Sequence, residues 1–143
     1  MRMIFVNLPV ADLDRSKAFF EALGFSFNPM FTDTTAACLV IEENICAMLL
    51  TEPRFRDFIT GEIAPRETTE CLLALSAESR EAVDALCDAA AGAGAGAWKP
   101  AQDHGFMYGR SFTDPDGHVW ECVWMDPEVA SGERRPDEVA AGA

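Results

Sequence analysis

Residues 5–25, FVNLPVADLDRSKAFFEALGF, contain the local signals that decide the fold class of this chain. The segment begins with apolar, β-prone residues and then reaches Asp12, a residue type that commonly caps the start of a helix. Apolar residues follow at helical spacing up to Gly24, which stands where a helix commonly ends. The segment therefore predicts a strand followed by an amphipathic helix.

Three further β-like segments come next, at residues 25–31, 35–41 and 45–50. Three polar residues separate the last two segments, which are predicted to form a hairpin. The start of the chain therefore has the element order βαβββ.

The same order of elements recurs later in the chain. Residues 51–69 contain arginines, prolines and mixed charge, a composition that predicts a linker. Residues 70–77 again predict a strand, and residues 79–91 again predict an amphipathic helix. Residues 109–124, GRSFTDPDGHVWECVW, place an Asp-Pro-Asp-Gly turn between two β-like segments. This internal repeat predicts two copies of one module.

The duplication predicts an α+β fold in which two βαβββ modules form a curled, half-open mixed β-sheet cavity with the helices outside. Module 1 spans about residues 1–50, module 2 spans about residues 70–126, and residues 1–126 form a single domain. Residues 127–143 are rich in Glu, Arg, Pro, Ala and Gly without an apolar period, so we expect a mobile tail. Periodicity alone leaves a second possibility, in which the two halves pack on each other without sharing a cavity.

Composition limits the classes of partner. The chain has 143 residues, of which 49% are hydrophobic, and this suits one domain with a sizeable core. Its formal net charge of −13 repels nucleic acid and anionic membrane surfaces. The apolar stretch at the N-terminus is too short for a secretory signal, and no run approaches the roughly 18 apolar residues of a membrane-spanning helix. We expect a cytoplasmic protein without nucleic-acid or membrane partners.

The chain has five cysteines, an odd number, and they include no C-x-x-C pair. This pattern argues against both a disulfide framework and a zinc knuckle. We expect reduced cysteines that pack as small apolar residues.

Taken together, residues 5–25 and 109–124 resemble the opening and closing signatures of the vicinal oxygen chelate superfamily, and the similarity extends to Asp126. Members of this superfamily include glyoxalase I, extradiol dioxygenases, epimerases, fosfomycin-modifying enzymes and bleomycin-binding proteins. The resemblance therefore implies a glyoxalase-like fold and leaves the activity open, because one fold hosts many functions. It also implies a homodimer, since many members build their pockets across two chains.

Enzymes of this superfamily hold a divalent metal with His or Glu on the first and last strands of each module. We align the two modules at their helix starts and at their hairpin tips. In this alignment the metal-ligand positions correspond to Phe5, Met48, Leu72 and Glu121. A divalent ion needs about three or more O, N or S donors, and here only Glu121 is a usual ligand. A shift of one residue in register would add only Cys71. We therefore expect no metal and no cofactor, and the three apolar positions are expected to line the cavity.

Glu121 is the main candidate for chemistry. A carboxylate that faces an apolar cavity can act as a general base or accept a hydrogen bond from a substrate OH or NH. The alternative is a former metal ligand that now pairs with Arg110 or Tyr108. His104, in a loop expected at the cavity mouth, is the second catalytic candidate, and the alternative there is an ordinary exposed histidine.

Three polar residues are further candidates for ligand binding. Asn7 shares a strand face with Phe5, and its amide can donate to a ligand or satisfy a buried backbone group. Tyr108 and Arg110 share a strand face and together can bind a carboxylate or another anionic group. The sequence alone does not decide which face of their strand lies inward.

These residues predict a metal-independent, small-molecule-binding, glyoxalase-like protein that encloses a partly apolar ligand between its two modules. Such a protein either sequesters a drug-like molecule or acts as a metal-free lyase or isomerase. The first alternative is a metal-dependent lyase, isomerase or dioxygenase in which Glu121 and His104 bind Zn, Ni or Mn. The second is a non-catalytic interaction module that serves dimerisation.

Overall fold

The computed structural model describes residues 1–140, and its chain divides into two compact units. The first unit contains Met1–Glu70 together with the turn Pro115–Gly117. The second unit contains Cys71–Asp114 and continues from His118.

The first unit has a four-stranded mixed sheet. Its elements are β1 (Ile4–Val10), α1 (Leu13–Ala22), β2 (Ser26–Asn28), a 3-10 turn (Pro29–Phe31), β3 (Ala36–Glu42), β4 (Ile45–Thr51) and α2 (Glu52–Arg56). The strand order is β1-β4-β3-β2. Strand β1 runs parallel to β4, and the other neighbours are antiparallel.

The second unit repeats this plan. Its elements are β5 (Leu72–Ala77), α3 (Arg80–Gly92), β6 (Gln102–Asp103), β7 (Met107–Thr113), β8 (Val119–Met125), α4 (Pro127–Ala130) and α5 (Pro136–Ala140). The strand order is β5-β8-β7-β6, with β5 parallel to β8. Across residues 1–140 both sheets are mixed and open, so the predicted α+β fold with two similar modules is confirmed.

One face of each sheet packs against a helix and forms the core. In the first unit α1 lies against β3 and β4, and its Phe19 and Phe20 are buried. The strand residues Leu8, Leu39 and Leu49 are also buried. Along β1, Leu8 lies between two more exposed residues, because successive side chains of a strand point to opposite faces of the sheet. In the second unit α3 lies against β5, β7 and β8 in the same way.

The helix starts follow the capping chemistry predicted from the sequence. The Asp12 side chain accepts a hydrogen bond from the backbone N–H of Arg15 at 3.1 Å, and Ser79 Oγ accepts one from Ala82 at 3.0 Å. Both caps satisfy backbone donors that the first helical turn leaves free. Gly24 follows α1 with φ at +97°, a conformation that favours glycine.

Asp114 fixes the turn between β7 and β8. Its buried carboxylate accepts a hydrogen bond from the backbone N–H of His118 at 3.0 Å and another from the indole N–H of Trp120 at 3.1 Å. Gly117 completes the turn with φ at +86°. Within the first unit, Asp116 accepts hydrogen bonds from Ala11 N–H at 2.8 Å and from Ser16 Oγ at 3.1 Å, among other contacts.

The predicted linker and tail contain short helices. Helix α2 lies in the predicted linker, residues 51–69, and α4 and α5 lie in the predicted tail, residues 127–143. Residues 141–143 of that tail lie outside the described residues, and the mobility of the tail stays a prediction. None of the helices in residues 1–140 is both long and apolar enough to cross a lipid bilayer.

All five cysteines are free thiols, in agreement with the prediction. Cys38, Cys46, Cys87 and Cys122 are buried, and Cys71 is half-buried.

We expect Asp114→Ala to lower the free energy of unfolding by about 2–4 kcal/mol, because it removes a buried carboxylate that accepts hydrogen bonds from His118 and Trp120. Urea denaturation followed by tryptophan fluorescence measures the change. Asp57→Ala removes a carboxylate that is 64% exposed and serves as the control, with an expected change within about 0.5 kcal/mol. Equal stability of the two variants would show that Asp114 does not anchor the turn.

Candidate functional site

Glu121 projects from the side of the second sheet that does not face α3. Its neighbours in β8, Trp120 and Cys122, are buried at 2% and 1% exposure. Side chains alternate across a strand, so Glu121 lies on the opposite face from these two residues. The face of β5, β7 and β8 that is turned away from α3 is termed the open face of the second sheet.

Small side chains flank Glu121 on this open face. Glu121 pairs with Ala74 on the β5 side and with Ser111 on the β7 side. Gly109 lies one pleat further along β7, beside Val123. Because none of these residues is large, they leave space next to the carboxylate.

A cavity of about 180 Å³ lies at this position and is formed by residues of the second unit. Its lining consists of Lys99, Pro100, Gln102, Met107, Gly109, Arg110, Ser111, Glu121 and Val123. The walls thus combine apolar side chains with a few polar ones, as is typical of small-molecule sites.

The polar groups of the cavity differ in whether they have hydrogen-bond partners. Ser111 Oγ accepts a hydrogen bond from the backbone N–H of Lys99 at 3.2 Å, which holds the incoming loop against β7. The Glu121 carboxylate has no hydrogen-bond or ion-pair partner within residues 1–140. It is therefore available to a ligand.

Tyr108 and Arg110 are directed to α3 rather than to Glu121. Tyr108 Oη donates a hydrogen bond to Asp84 Oδ1 at 2.6 Å. Arg110 Nη1 donates to Asp84 Oδ1 at 3.0 Å and to Asp88 Oδ1 at 2.9 Å. The Tyr108 hydroxyl and then Arg110 lower the pKa of Asp84. The structure therefore places both predicted anion binders in a network on the helix side, and neither pairs with Glu121.

His104 lies in an exposed loop after β6, stacked on Phe106 with the ring centroids 6.1 Å apart. The loop is held by Arg80, whose guanidinium donates to both Asp103 carboxylate oxygens at 2.7 and 2.9 Å and to the carbonyl of Gly105 at 2.9 Å. His104 is not among the residues that line the Glu121 cavity. The structure does not bring the two predicted catalytic residues together there.

The remaining predicted positions divide between the two units. In the first unit Asn7 pairs with Met48 across β1 and β4, and its amide donates to the Phe5 carbonyl at 3.4 Å. Phe5 is 46% exposed. In the second unit Leu72 lies on the open face, 52% exposed, two residues before the Ala74 that pairs with Glu121.

The two sheets have equivalent registers. Asn7 pairs with Met48 just as Ala74 pairs with Glu121. On the other side of these strands, Cys38 pairs with Met48 as Ser111 pairs with Glu121. The residue equivalences inferred from the helix starts and hairpin tips therefore agree with the strand pairing.

The chain is similar to several known proteins. Residues 2–42 match the family model described as bleomycin resistance protein-like N-terminal. A hypothetical protein from S. aureus is 26% identical over 87% of this chain and 94% of that chain, with a TM-score of 0.73. A glyoxalase/bleomycin resistance protein/dioxygenase family enzyme from Burkholderia phytofirmans is 20% identical over 87% and 99% of the two chains, with a TM-score of 0.72.

The chain has the fold of glyoxalase/bleomycin resistance proteins. This confirms the fold that the resemblance in the sequence implied. A glyoxalase-related enzyme from Fulvimarina pelagi is likewise similar, with 21% identity over 87% and 88% of the two chains and a TM-score of 0.71. No match was found among curated proteins.

The donor set does not fit the divalent metal that enzymes with the vicinal oxygen chelate fold hold. Phe5 and Leu72 offer no donor atom, and Met48 offers only a thioether beside Asn7. Within residues 1–140 no group of three or more His, Cys, Asp or Glu side chains is arranged to hold a metal ion. Glu121 alone falls short of the three or so donors that such an ion needs.

Three residues that line the cavity with Glu121 were not predicted from the sequence: Lys99, Gln102 and Ser111. A signal for Ser111 was present, because a hairpin closed at the Asp-Pro-Asp-Gly turn sets Ser111 opposite Glu121. The loop residue Lys99 had no such signal, since its position depends on how the backbone returns from α3.

We expect Arg80→Gln to raise the pKa of Asp103 from about 2 toward its ordinary value of 3.8, because the bidentate hydrogen bond from Arg80 is the main cause of the lowering. The lowered pKa means that Asp103 contributes stability above pH 3.8, and this contribution is lost as the pH falls through about 2. Carboxyl ¹³C NMR titration measures the pKa. Arg134→Gln removes the arginine of another ion pair and should leave the pKa of Asp103 unchanged. An Asp103 pKa that stays at its lowered value in Arg80→Gln would show that Arg80 is not the main cause of the lowering.

Proposed function

We propose that the protein binds a small, partly apolar molecule at the Glu121 cavity without the help of a divalent metal. The observation that carries this proposal is the Glu121 carboxylate, which lies at a cavity with mixed apolar and polar walls and has no hydrogen-bond or ion-pair partner among residues 1–140. A carboxylate beside apolar walls loses favourable solvation free energy unless a ligand or water supplies hydrogen-bond donors.

The cavity groups define the chemistry of the ligand. Glu121 accepts hydrogen bonds, so it suits an OH, an NH or a protonated amine. Lys99 also lines the cavity, and its ammonium group can donate to an acceptor group of the ligand. Met107 and Val123 supply apolar contact in the same cavity.

The cavity size limits how much of a ligand it holds. Its volume of about 180 Å³ is below the roughly 300–1,000 Å³ typical of sites for drug-sized molecules. The cavity therefore holds a fragment-sized molecule, or one end of a larger ligand. The expectation from sequence that a ligand is enclosed between the two modules stays a prediction.

Binding is better supported than catalysis. A lyase or isomerase reaction at Glu121 would need a second group that moves a proton near neutral pH, and the lining contains no histidine, cysteine or tyrosine. His104, the second catalytic candidate, lies outside the lining. The similarity of residues 2–42 to the bleomycin resistance protein-like model supports a binding role.

We also propose that the protein forms a homodimer. Strands β1 and β5 are edge strands of their sheets, and they expose apolar side chains at Ile4 (55%), Phe5 (46%) and Leu72 (52%). Exposed apolar edge strands are commonly covered by another chain or element. Light scattering coupled to gel filtration should give twice the mass of the chain, and a monomer at all concentrations would contradict the dimer.

The ligand site can be tested with Glu121→Gln, which keeps the shape of the side chain and removes its charge. We expect small aromatic and aliphatic amines from a fragment library to shift the amide signals of Gly109, Ser111 and Val123 in ¹H–¹⁵N NMR spectra. The variant should bind the same amines at least about tenfold more weakly, because a hydrogen bond to a charged group contributes about 1.5–3 kcal/mol.

Glu62→Gln is the matched control, because Glu62 is an exposed acid in a loop outside the cavity, and it should bind like the unmodified protein. Amines that bind Glu121→Gln as tightly as the control, or that shift signals only elsewhere, would refute the site.

A further inference from the structure

Three sulfur-containing side chains cluster on the first sheet. Cys38 in β3 pairs directly with Met48 in β4. Cys46 lies two residues before Met48 in the same strand, so all three side chains share one face. Cys46 pairs with Val40, which lies two residues after Cys38 in β3, so Cys38 and Cys46 are diagonal neighbours on this face. Paired residues on one face have Cβ atoms about 4.5–5.5 Å apart, which puts the Met48 thioether within reach of the thiols.

This face is the one turned away from α1. Residues of the opposite parity in β3 and β4, such as Leu39, Ala47 and Leu49, are fully buried on the α1 side. Cys38 and Cys46 are 1% and 5% exposed, whereas Met48 is half-buried. Met48 is thus the member of the cluster that solvent reaches.

The Cys38 thiol is poorly suited to act as a nucleophile. Burial and, after it, the neighbouring Cys46 raise the pKa of Cys38 to about 11, and the backbone N–H of Asn28 opposes the rise. Reactive cysteines need the thiolate at neutral pH, which a raised pKa disfavours. A soft cation, in contrast, can displace the protons from both thiols when it binds.

We propose that Cys38, Cys46 and Met48 form a binding site for a soft monovalent cation, Cu(I). Thiolate and thioether sulfur are the ligands that favour Cu(I), whereas hard divalent ions prefer oxygen and nitrogen. Binding converts two thiols to thiolates and releases two protons, and no electron is transferred. The neutral thioether completes a three-sulfur environment.

The site is separate from the Glu121 cavity and does not depend on it. The sulfur cluster belongs to the first unit, and the cavity residues belong to the second. Failure of the copper site would leave amine binding at Glu121 intact, and Glu121→Gln should leave copper binding intact.

Anaerobic titration with Cu(I) against a coloured Cu(I) chelator, with a non-thiol reductant present, tests the site. We expect one ion per chain. Cys38→Ser and Cys46→Ser should each weaken binding by more than about 100-fold, since even outer-shell substitutions at metal sites cost about 10–100-fold. Met48→Leu removes the sulfur, keeps the apolar side chain and should weaken binding by about tenfold. Affinity should rise with pH, because binding releases protons.

Cys71→Ser is the matched control, because Cys71 is a half-buried cysteine of the other unit and should leave the affinity unchanged. Absence of binding, or binding that the three cluster substitutions leave unchanged, would overturn the proposal. Circular dichroism shows which variants fold. If a cysteine variant does not fold, X-ray absorption of copper in the unmodified protein decides: sulfur neighbours alone support the site, and nitrogen or oxygen neighbours overturn it.

Discussion

The register of β8 between β5 and β7 is the constraint on which the candidate site depends. Trp120 and Cys122 are buried toward α3, and this burial fixes the opposite orientation of Glu121. A shift by one residue would put the carboxylate into the core and the Trp120 side chain on the open face. The Asp114 carboxylate opposes such a shift, because it binds both the His118 amide and the Trp120 indole. Asp114 therefore stabilises both the turn between β7 and β8 and the orientation of Glu121.

The two modules share this register but differ in chemistry. Where the second sheet has Glu121 and Ser111, the first has Met48 and Cys38 at equivalent pairs. One sheet thus presents oxygen groups beside a cavity, and the other presents sulfur groups that are largely buried. The duplicated backbone thus carries side chains of different chemistry at equivalent positions, which accords with the view that function lies in sites rather than in folds.

Much of the fold was predictable because its signals are local. The capping residues Asp12 and Ser79, the glycine after α1 and the Asp-Pro-Asp-Gly turn each mark an element boundary, and the repeated order of elements indicates the duplication. The strand offsets followed from the same landmarks, so Met48 and Glu121 could be matched from sequence alone.

The site was less predictable, because it depends on strand parity and on loop positions. Tyr108 and Arg110 were correctly placed on a common face, but that face turns out to be the one against α3, where Asp84 and Asp88 bind them. The alternation of side chains along a strand shows which residues share a face, but it does not show which of the two faces packs against the helix. Lys99 reaches the cavity through a loop whose course no local pattern specifies.

We propose that the Glu121 carboxylate binds a small molecule and holds no divalent metal. The most direct test is the zinc, nickel and manganese content of the purified protein, measured by mass spectrometry together with melting temperatures over a series of these ions. We expect far less than one divalent ion per chain and no change in melting temperature. About one ion per chain, with a melting temperature that rises with ion concentration by mass action, would contradict the proposal.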